Sequence, residues 1–338
     1  MTPPAIAKLH ASGANPGNRR RRLRIGLVNS MPDGAVCATE RQFRGLLQAA
    51  LPDGELDLQL FELPGLIRSA AIRARMAGRY QSFEAIADAG LDALVVTGAK
   101  PGEGSLRNAA FWPGFTRLVD LALDLGLPAI WSCLAAHAAV DYLDGVERRP
   151  LPSKHSGVFP CAPVWSDPLL DGVDRVWSTP HSRFNDLAEA DLVARGYDIL
   201  TRSPTVGVDA FVKRGPPLFL FCQGHPEYDR DSLALEYRRD LHAFLQGERP
   251  APPDIPAGLL DAGLQALWRE RTETSIARGR IEPARQWPLA IKDSSGAAPW
   301  RAFAVGLYAN WLRLAVDPVP GTFRPLATPL SSGGGLTA

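Results

Sequence analysis

The residues best suited to covalent chemistry in this chain are Cys133, His225 and Glu227. Cys133 ends an apolar run and precedes a stretch of small residues typical of a tightly packed helix, whereas His225 and Glu227 follow a second apolar run. A thiol at a strand-to-helix turn, with a histidine and an acid at another strand end, is the layout of a cysteine nucleophile, its base and the acid that orients the base. The helix N-terminus favours a thiolate over a thiol, so the pattern predicts nucleophilic catalysis.

Each of these residues also has a structural interpretation. A cysteine in an apolar segment is often a buried thiol with no chemical role. The Gly-x-Cys-x-Gly form of a nucleophile elbow is missing, because Trp131 and Ala135 flank Cys133, although small residues after the cysteine still permit a sharp turn. His225 could be a surface histidine in a turn, but Pro226 fixes the backbone between it and the following acid.

The other cysteines and histidines are weaker candidates. We interpret three cysteines as structural, one before a helix, one in a loop and one inside an apolar strand: Cys37, Cys161 and Cys222. No two cysteines have C-x-x-C or metal-ligand spacing, so we expect free thiols and no metal. His137 lies one helical turn after Cys133, beneath the elbow and away from a substrate, and it ranks below His225. His181 is predicted to lie in a polar loop and to line a pocket.

The elements that must position these residues alternate between strand and helix. Strands are predicted over 23–29, 57–61 and 91–98 and directly before Cys133, separated by helices over 39–50, 66–90 and 111–125. Because the strands are apolar throughout, they indicate a mostly parallel sheet covered by helices on both faces, an α/β fold. Ligands of such sheets bind beyond the carboxyl ends of the strands. We therefore expect Asn29, Gly98, Cys133 and His225 to meet at one edge.

The second half of the chain is less regular. It has short strand-like pieces within 140–215, followed by a helix over 230–246, a Pro-rich stretch over 248–258 and two further helices over 259–278 and 300–316. We divide the chain into a disordered basic arm (1–22), a core domain (23–247), a helical extension packed on the core (248–317) and a flexible tail (318–338).

Composition excludes several classes of partner. A net charge of +1 gives no electrostatic case for nucleic acid or an anionic membrane, and the arginine run at 19–22 is interpreted as a solvated tail. No stretch approaches the roughly 20 apolar residues that cross a bilayer, and no secretory signal is recognisable. Four widely spaced cysteines are typical of a reducing compartment, which predicts the cytoplasm.

Several segments occur in the order found in one known family. They are residues 29–32, 97–99, the Cys133 turn, 154–159, 180–184 and 223–229, of which Gly-His-Pro-Glu-Tyr-Asp over 224–229 is the most specific. Together they resemble the homoserine O-succinyltransferase family, and residues 236–240 and 300–312 are similar to it as well. The resemblance spans about residues 24–316. It implies a class I glutamine-amidotransferase-like, flavodoxin-like core.

The resemblance implies an acyl-enzyme mechanism. Cys133 would take an acyl group from acyl-CoA, and His225, oriented by Glu227, would activate first the thiol and then the acceptor hydroxyl. The backbone N–H of Leu134, with one from the turn at 29–32, would stabilise the oxyanion. Among the family's substrate-binding positions, Arg239 matches the one that binds the amino-acid carboxylate, and Lys154 and Ser182 match further contacts.

The acyl donor depends on one position after the Thr-Gly-Ala motif. In this family a Glu there accompanies acetyl-CoA and a Gly accompanies succinyl-CoA, and Gly102 holds the position in this chain. A Glu would repel the succinyl carboxylate, whereas Gly leaves room for it. The resemblance thus implies succinyl transfer from succinyl-CoA, as co-substrate without a further cofactor, to L-homoserine in methionine biosynthesis. It also implies small-molecule substrates and a possible homodimer.

Other functions stay open at this point. Leu134 and Phe303 stand where the family usually has Trp and His, which leaves serine as a competing acceptor. Glu103, one residue after Gly102, leaves acetyl-CoA as a competing donor. A glutamine amidotransferase-like hydrolase would use the same cysteine, histidine and glutamate. A non-catalytic binding protein is disfavoured because all three of those residues are present.

Overall fold

The computed structural model describes residues 22–99, 104–280 and 298–316. In these ranges the strands are β1 (Arg22–Val28), β2 (Glu55–Phe61), β3 (Tyr80–Gln81), β4 (Ala93–Val96), β5 (Ala129–Ser132), β6 (Arg149–Pro163), β7 (Trp177–Asp186), β8 (Asp198–Ser203), β9 (Gly207–Lys213) and β10 (Phe219–Cys222). The α-helices are α1 (Val36–Ala50), α2 (Ala70–Met76), α3 (Trp112–Asp124), α4 (Leu134–Asp144), α5 (Glu189–Ala194), α6 (Ser232–Leu245), α7 (Ala262–Arg278) and α8 (Arg301–Val316).

All ten strands join one mixed sheet in the order β3-β2-β1-β4-β5-β10-β9-β8-β6-β7. The first six in that order are parallel to one another, and each pair from β10 onward is antiparallel. Helices α3 and α4 bury their apolar side chains on one face, and α1 and α8 bury theirs on the other. The predicted α/β fold with helices on both faces is confirmed.

The parallel half of the sheet brings the predicted strand ends together. Strands β1, β4, β5 and β10 are consecutive neighbours, and their carboxyl ends lead to Asn29, Gly98, Cys133 and His225 respectively. Strands β4, β5 and β10 have four residues each, all of them buried, which explains why their sequences are continuously apolar. The expectation that four strand ends meet at one edge is confirmed.

Two parts of the chain differ from the sequence-based assignment. The predicted helix over 66–90 is only the short helix α2, followed by the two-residue strand β3 and a 3-10 turn over Phe83–Ile86. The region 140–215 holds the long antiparallel pair β6 and β7 in addition to the short strands β8 and β9. Four prolines in β6 hid this pair, since proline cannot donate to a strand ladder and is usual only at edges and irregular positions.

The C-terminal helix α8 completes the core on one face. Trp311 and Tyr308 of α8 are fully buried in the same cluster as Phe43 of α1, and Phe303 stacks on Trp177 with ring centroids 4.0 Å apart. The predicted extension therefore contacts the sheet layer directly, while its exact bounds stay a prediction. Arg22, the last residue of the predicted arm, begins β1, whereas residues 1–21, residues 281–297 and the whole predicted tail lie outside the described residues.

The described helices include none that could cross a membrane. This finding is limited to residues 22–99, 104–280 and 298–316.

We predict that Trp311→Ala lowers the free energy of unfolding by about 3–5 kcal/mol, because it leaves a large cavity between α8 and the sheet. Chemical denaturation followed by circular dichroism measures the change. Arg313→Ala on the same helix is the matched control, since that side chain is 50% exposed and should shift stability little. A loss below 1 kcal/mol for Trp311→Ala would mean that α8 is not part of the cooperative core.

Candidate active site

Cys133 occupies a strained turn between β5 and α4. Its backbone has φ 52° and ψ −111°, and it is the only non-glycine residue with a positive φ in the described part of the chain. Such a conformation costs about 1–3 kcal/mol and persists only where the surroundings enforce it. The Cys133 N–H donates to the Cys222 carbonyl at 2.7 Å, which ties the turn to β10. The half-buried thiol thus lies at the N-terminus of α4, where unpaired N–H groups favour negative charge.

His225 links this thiol to a buried acid. Its Nδ1 lies 2.8 Å from Glu227 Oε1, and Cys133 lies close enough to the ring to influence its protonation. Burial by itself would lower the pKa of His225, but the negative charges of Cys133 and Glu227 outweigh it and raise that pKa well above its ordinary value. The arrangement therefore favours a protonated His225 ring beside Cys133, with Glu227 holding the ring in place from the other side.

The ring of His225 is also held by stacking. Tyr228 packs face to face on it, with ring centroids 4.1 Å apart and planes 15° from parallel. The Tyr228 carbonyl accepts a hydrogen bond from the indole N–H of Trp300 at 2.9 Å. The segment before α8 therefore supports the same ring that the parallel sheet places beside Cys133.

A buried polar pair fixes the backbone before His225. Gly224 lies against Asp209 and His181, so closely that a Cβ on Gly224 would meet Asp209 Oδ1 at 2.6 Å and His181 Nε2 at 3.0 Å. The His225 N–H donates to the Pro180 carbonyl at 2.7 Å. Only glycine fits between this pair and the turn, so the antiparallel half of the sheet determines where the His225 backbone lies.

Among the described residues, the same pair belongs to the one group whose donor atoms are close enough to bind a metal ion. Donor atoms of Cys161, His181 and Asp209 lie within 4.8 Å of one another and are fully buried. However, Arg183 Nε donates to His181 Nδ1 at 3.4 Å, so Nε2 carries the proton and faces Asp209 Oδ1 at 3.2 Å. Burial raises the pKa of the Cys161 thiol, which disfavours a thiolate ligand. The group fits a hydrogen-bonded cluster and does not fit a metal.

Two sequence-based placements are corrected by this cluster. His181 lies in β7 and is fully buried, so the prediction of a polar pocket-lining loop was wrong. Cys161 lies in β6, not in a loop. Both residues face the interior because β6 and β7 form a long antiparallel pair that the sequence did not reveal.

The first N–H of α4 belongs to Leu134, next to Cys133. Gly98 faces it, and a Cβ at Gly98 would lie 3.3 Å from the Leu134 nitrogen and 2.9 Å from its Cβ. The second donor expected from the turn at 29–32 is not free. The Ser30 N–H donates to Thr97 Oγ1 at 2.8 Å, and the Met31 N–H donates to the Asn29 side chain at 3.3 Å. That part of the prediction was therefore wrong.

Lys154 and Ser182, predicted to contact a substrate, meet at a third residue. The Ser182 hydroxyl donates to Glu236 Oε2, Lys154 Nζ lies 3.6 Å from the same oxygen, and the Tyr228 hydroxyl donates to Glu236 Oε1 at 2.6 Å. Burial opposes ionisation of Glu236, but the charges of Lys154 and Arg239 outweigh it and hold the pKa of that carboxyl below its ordinary value. Glu236 is therefore a carboxylate one side chain away from the His225 ring.

Arg239 lies beside a second acid, Asp240. Its Nε and Nη2 atoms lie 2.9 Å and 2.8 Å from Asp240 Oδ1, while Lys154 Nζ and Arg249 Nη1 approach Asp240 Oδ2 at 2.9 Å and 3.0 Å. The guanidinium of Arg239 remains 62% exposed. These three cations and two carboxylates form a compact cluster of mixed charge near the histidine, which is the proposed pocket for a charged ligand.

The sequence alone predicts no role for Glu236 or Asp240. Both lie on α6 at positions four residues apart, which places them on one helix face. Charged residues at that spacing usually indicate a solvated helix face. Only their contacts with Lys154 and Ser182 in the fold indicate that these two residues belong to a site.

Two further candidates lie apart from the reacting groups. His137 is buried on α4 with Nε2 2.9 Å from Gln223 Oε1, and burial lowers its pKa to about 3, so it is a neutral structural histidine. Gly102, expected to govern the acyl donor, lies outside the described residues.

Comparison with known proteins gives this geometry a context. Residues 4–319 match the profile of the homoserine O-succinyltransferase family. Homoserine O-succinyltransferases from Methylorubrum extorquens and Rhodopseudomonas palustris are 46% and 43% identical to the chain, over 89% and 93% of it and over 89% and 95% of their own lengths. A glutamine amidotransferase from Thermotoga maritima has a similar fold, with a TM-score of 0.49 at 13% identity over 87% of this chain and 98% of that one.

We predict that Cys133→Ala and Glu227→Gln each lower the pKa of His225, because each removes a negative charge while the burial that opposes protonation remains. NMR titration of the His225 ring, assigned by its loss in His225→Asn, measures the shift. Glu55→Gln, whose side chain is 63% exposed at the start of β2, is the control and should leave the titration unchanged. A His225 pKa that stays the same or rises in Cys133→Ala would contradict the influence of Cys133 on the ring.

Proposed function

Because the chain belongs to the homoserine O-succinyltransferase family, we propose that it transfers a succinyl group from succinyl-CoA to the hydroxyl of L-homoserine. The single observation that carries this proposal is the contact of Cys133 with His225 at a strained strand-to-helix turn, beside a pocket of mixed charge. As a methionine-biosynthesis enzyme it would work in the cytoplasm, with no cofactor besides its co-substrate.

The first half-reaction makes an acyl-enzyme. The Cys133 thiolate attacks the thioester carbonyl of succinyl-CoA, a new carbon–sulfur bond forms, and the bond to the sulfur of CoA breaks. The proton on His225 goes to the departing CoA sulfur, so CoA leaves as a neutral thiol. The protonated His225 ring supports this step, because it holds a proton for the leaving group beside the nucleophile.

The second half-reaction uses the same imidazole in the opposite sense. Acylation removes the negative charge from the sulfur, and with it one of the two charges that raise the pKa of His225. The neutral ring can then take the proton from the homoserine hydroxyl as its oxygen attacks the acyl-enzyme carbonyl. Breaking the bond to Cys133 restores the thiolate, and the proton on His225 restores the ion pair.

Both half-reactions pass through an oxyanion next to Leu134. The backbone N–H of Leu134 at the start of α4 is placed to donate to that oxygen, and the α4 dipole adds to the stabilisation. Gly98 keeps the space over this N–H open, since any side chain there would crowd it.

The mixed-charge pocket suits an amino-acid acceptor. Glu236 is an ionised acid that a substrate ammonium group can approach, and the exposed fork of Arg239 suits a substrate carboxylate. Lys154 lies between them and balances both acids. Recognition of both charged ends leaves the side-chain hydroxyl of homoserine to reach His225, since Tyr228 joins the pocket to that ring.

We predict that Gly98→Ala slows acyl-enzyme formation roughly 100-fold, the effect of losing one oxyanion donor, about 3 kcal/mol. Single-turnover release of CoA measures the rate. Gly34→Ala is the control, because a Cβ at Gly34 would meet nothing within 4 Å. A folded Gly98→Ala enzyme with an unchanged rate would remove Leu134 from the mechanism.

We predict that the enzyme mixed with succinyl-CoA alone gains the mass of one succinyl group, and that Cys133→Ser does not form a thioester adduct. CoA release is then compared for succinyl-CoA and acetyl-CoA against homoserine, serine and water, with glutamine tested separately for ammonia release. Fastest turnover with succinyl-CoA and homoserine supports the proposal. Faster turnover with another pair, or ammonia release from glutamine, would replace it.

A further inference from the structure

A cleft of about 540 Å³ runs along the outer side of α6. Among the described residues its lining includes Arg238, Arg239, Arg280 and His242 and no acidic side chain. Leu235 adds a 49% exposed apolar side chain to one wall. A concave surface that combines several cations with an exposed apolar side chain suits a ligand that carries both anionic groups and a flat apolar part.

The cleft is built on one face of a helix. Leu235, Arg238, Arg239 and His242 follow each other at helical spacing, so their side chains form a single stripe on α6. Arg280 comes from the segment directly after α7, whose Trp268 packs with Tyr237 of α6. The cations are therefore held by packed elements on two sides of the cleft.

Part of this positive charge is not balanced. Arg239 is paired with Asp240, but Arg238 forms no ion pair with any other residue in the described ranges. In a chain whose net charge is only +1, such a local excess is a specific feature of this surface. It calls for an anionic ligand.

The cleft begins where the acceptor pocket ends. Tyr228 stacks on His225 and donates to Glu236, and Arg239 lies three residues further along α6. Arg239 thus borders both the mixed-charge pocket and the cleft. A ligand that reaches His225 from this side must pass Arg239.

The proposed double displacement decides which ligand takes that path. His225 gives its proton to the departing CoA sulfur and later takes one from the acceptor hydroxyl, so both atoms occupy the same place beside its ring. A pantetheine arm that starts at this place and passes Arg239 enters the cleft. Its phosphate groups then lie beyond Arg239. We propose that the cleft lined by Arg238, His242 and Arg280 binds the phosphates of CoA, an inference that rests on the proposed function.

A second basic cleft provides a comparison. It has a volume of about 560 Å³ and includes Arg148, Arg149 and Arg195, but Glu147 and Asp191 line it too. Arg149 is paired with Asp191 at 2.5 Å. With its charge partly cancelled, this cleft suits a phosphate less well. Arg195 therefore serves as a control position of the same chemical type.

The test is a charge reversal in the first cleft. We predict that Arg238→Glu with Arg280→Glu lowers the ratio of kcat/KM for succinyl-CoA to that for the succinyl thioester of N-acetylcysteamine, which has no phosphate, at least about tenfold. Arg195→Glu should keep the wild-type ratio, and Arg238→Gln should give a smaller loss in the same direction. An unchanged ratio in the folded double variant, or a loss with Arg195→Glu instead, would overturn the assignment.

A binding measurement separates this proposal from the proposed function. Adenosine 3′,5′-bisphosphate carries phosphates of CoA without its thioester, and its calorimetric affinity for the wild-type chain should fall with added salt and about tenfold with Arg238→Glu. Equal affinity for both proteins would refute the cleft even if acyl transfer is observed. Weakened binding in a protein that releases no CoA from succinyl-CoA would support the cleft and refute the proposed function.

Discussion

The protonated His225 ring, held between Cys133 and Glu227, is the feature on which the rest of the proposed site depends. A buried imidazolium is unfavourable by itself, and it persists because Cys133 and Glu227 surround it with negative charge. The strained backbone of Cys133 is likewise held by its surroundings, since the hydrogen bond to Cys222 and the packing of α4 enforce a conformation that an isolated chain would avoid. Stability is thus given up locally so that charge is ready before a substrate arrives.

The two halves of the sheet share the work of maintaining this arrangement. The parallel half places Cys133 at a strand end, as its topology requires. The antiparallel half positions the backbone of His225 through the Asp209–His181 pair under Gly224. It also provides Lys154 from β6 and Ser182 from β7 to the proposed acceptor site. Helix α6 then carries Glu236 and the basic stripe that leads away from the site. Helix α6 therefore joins the proposed acceptor site to the proposed CoA site.

The sequence predicts the features that depend on local patterns, but not those that depend on contacts between residues far apart in the chain. Apolar strands followed by small residues predicted the parallel sheet and the meeting of Cys133 with His225, because strand ends of such sheets share an edge. The prolines of β6 concealed the antiparallel pair, and with it the burial of His181. Glu236 was missed because its significance comes from Lys154 and Ser182, which are far away in the chain and meet it only in the fold.

One claim underlies the mechanism and the path assigned to CoA: the sulfur of Cys133 carries the acyl group alone, between departure of the first product and entry of the acceptor. Initial velocities with both substrates varied test this most directly, because a covalent intermediate of this kind gives ping-pong kinetics. The account predicts parallel lines in double-reciprocal plots at every homoserine concentration. Lines that intersect would mean that both substrates bind together, and a shared place beside His225 would then be impossible.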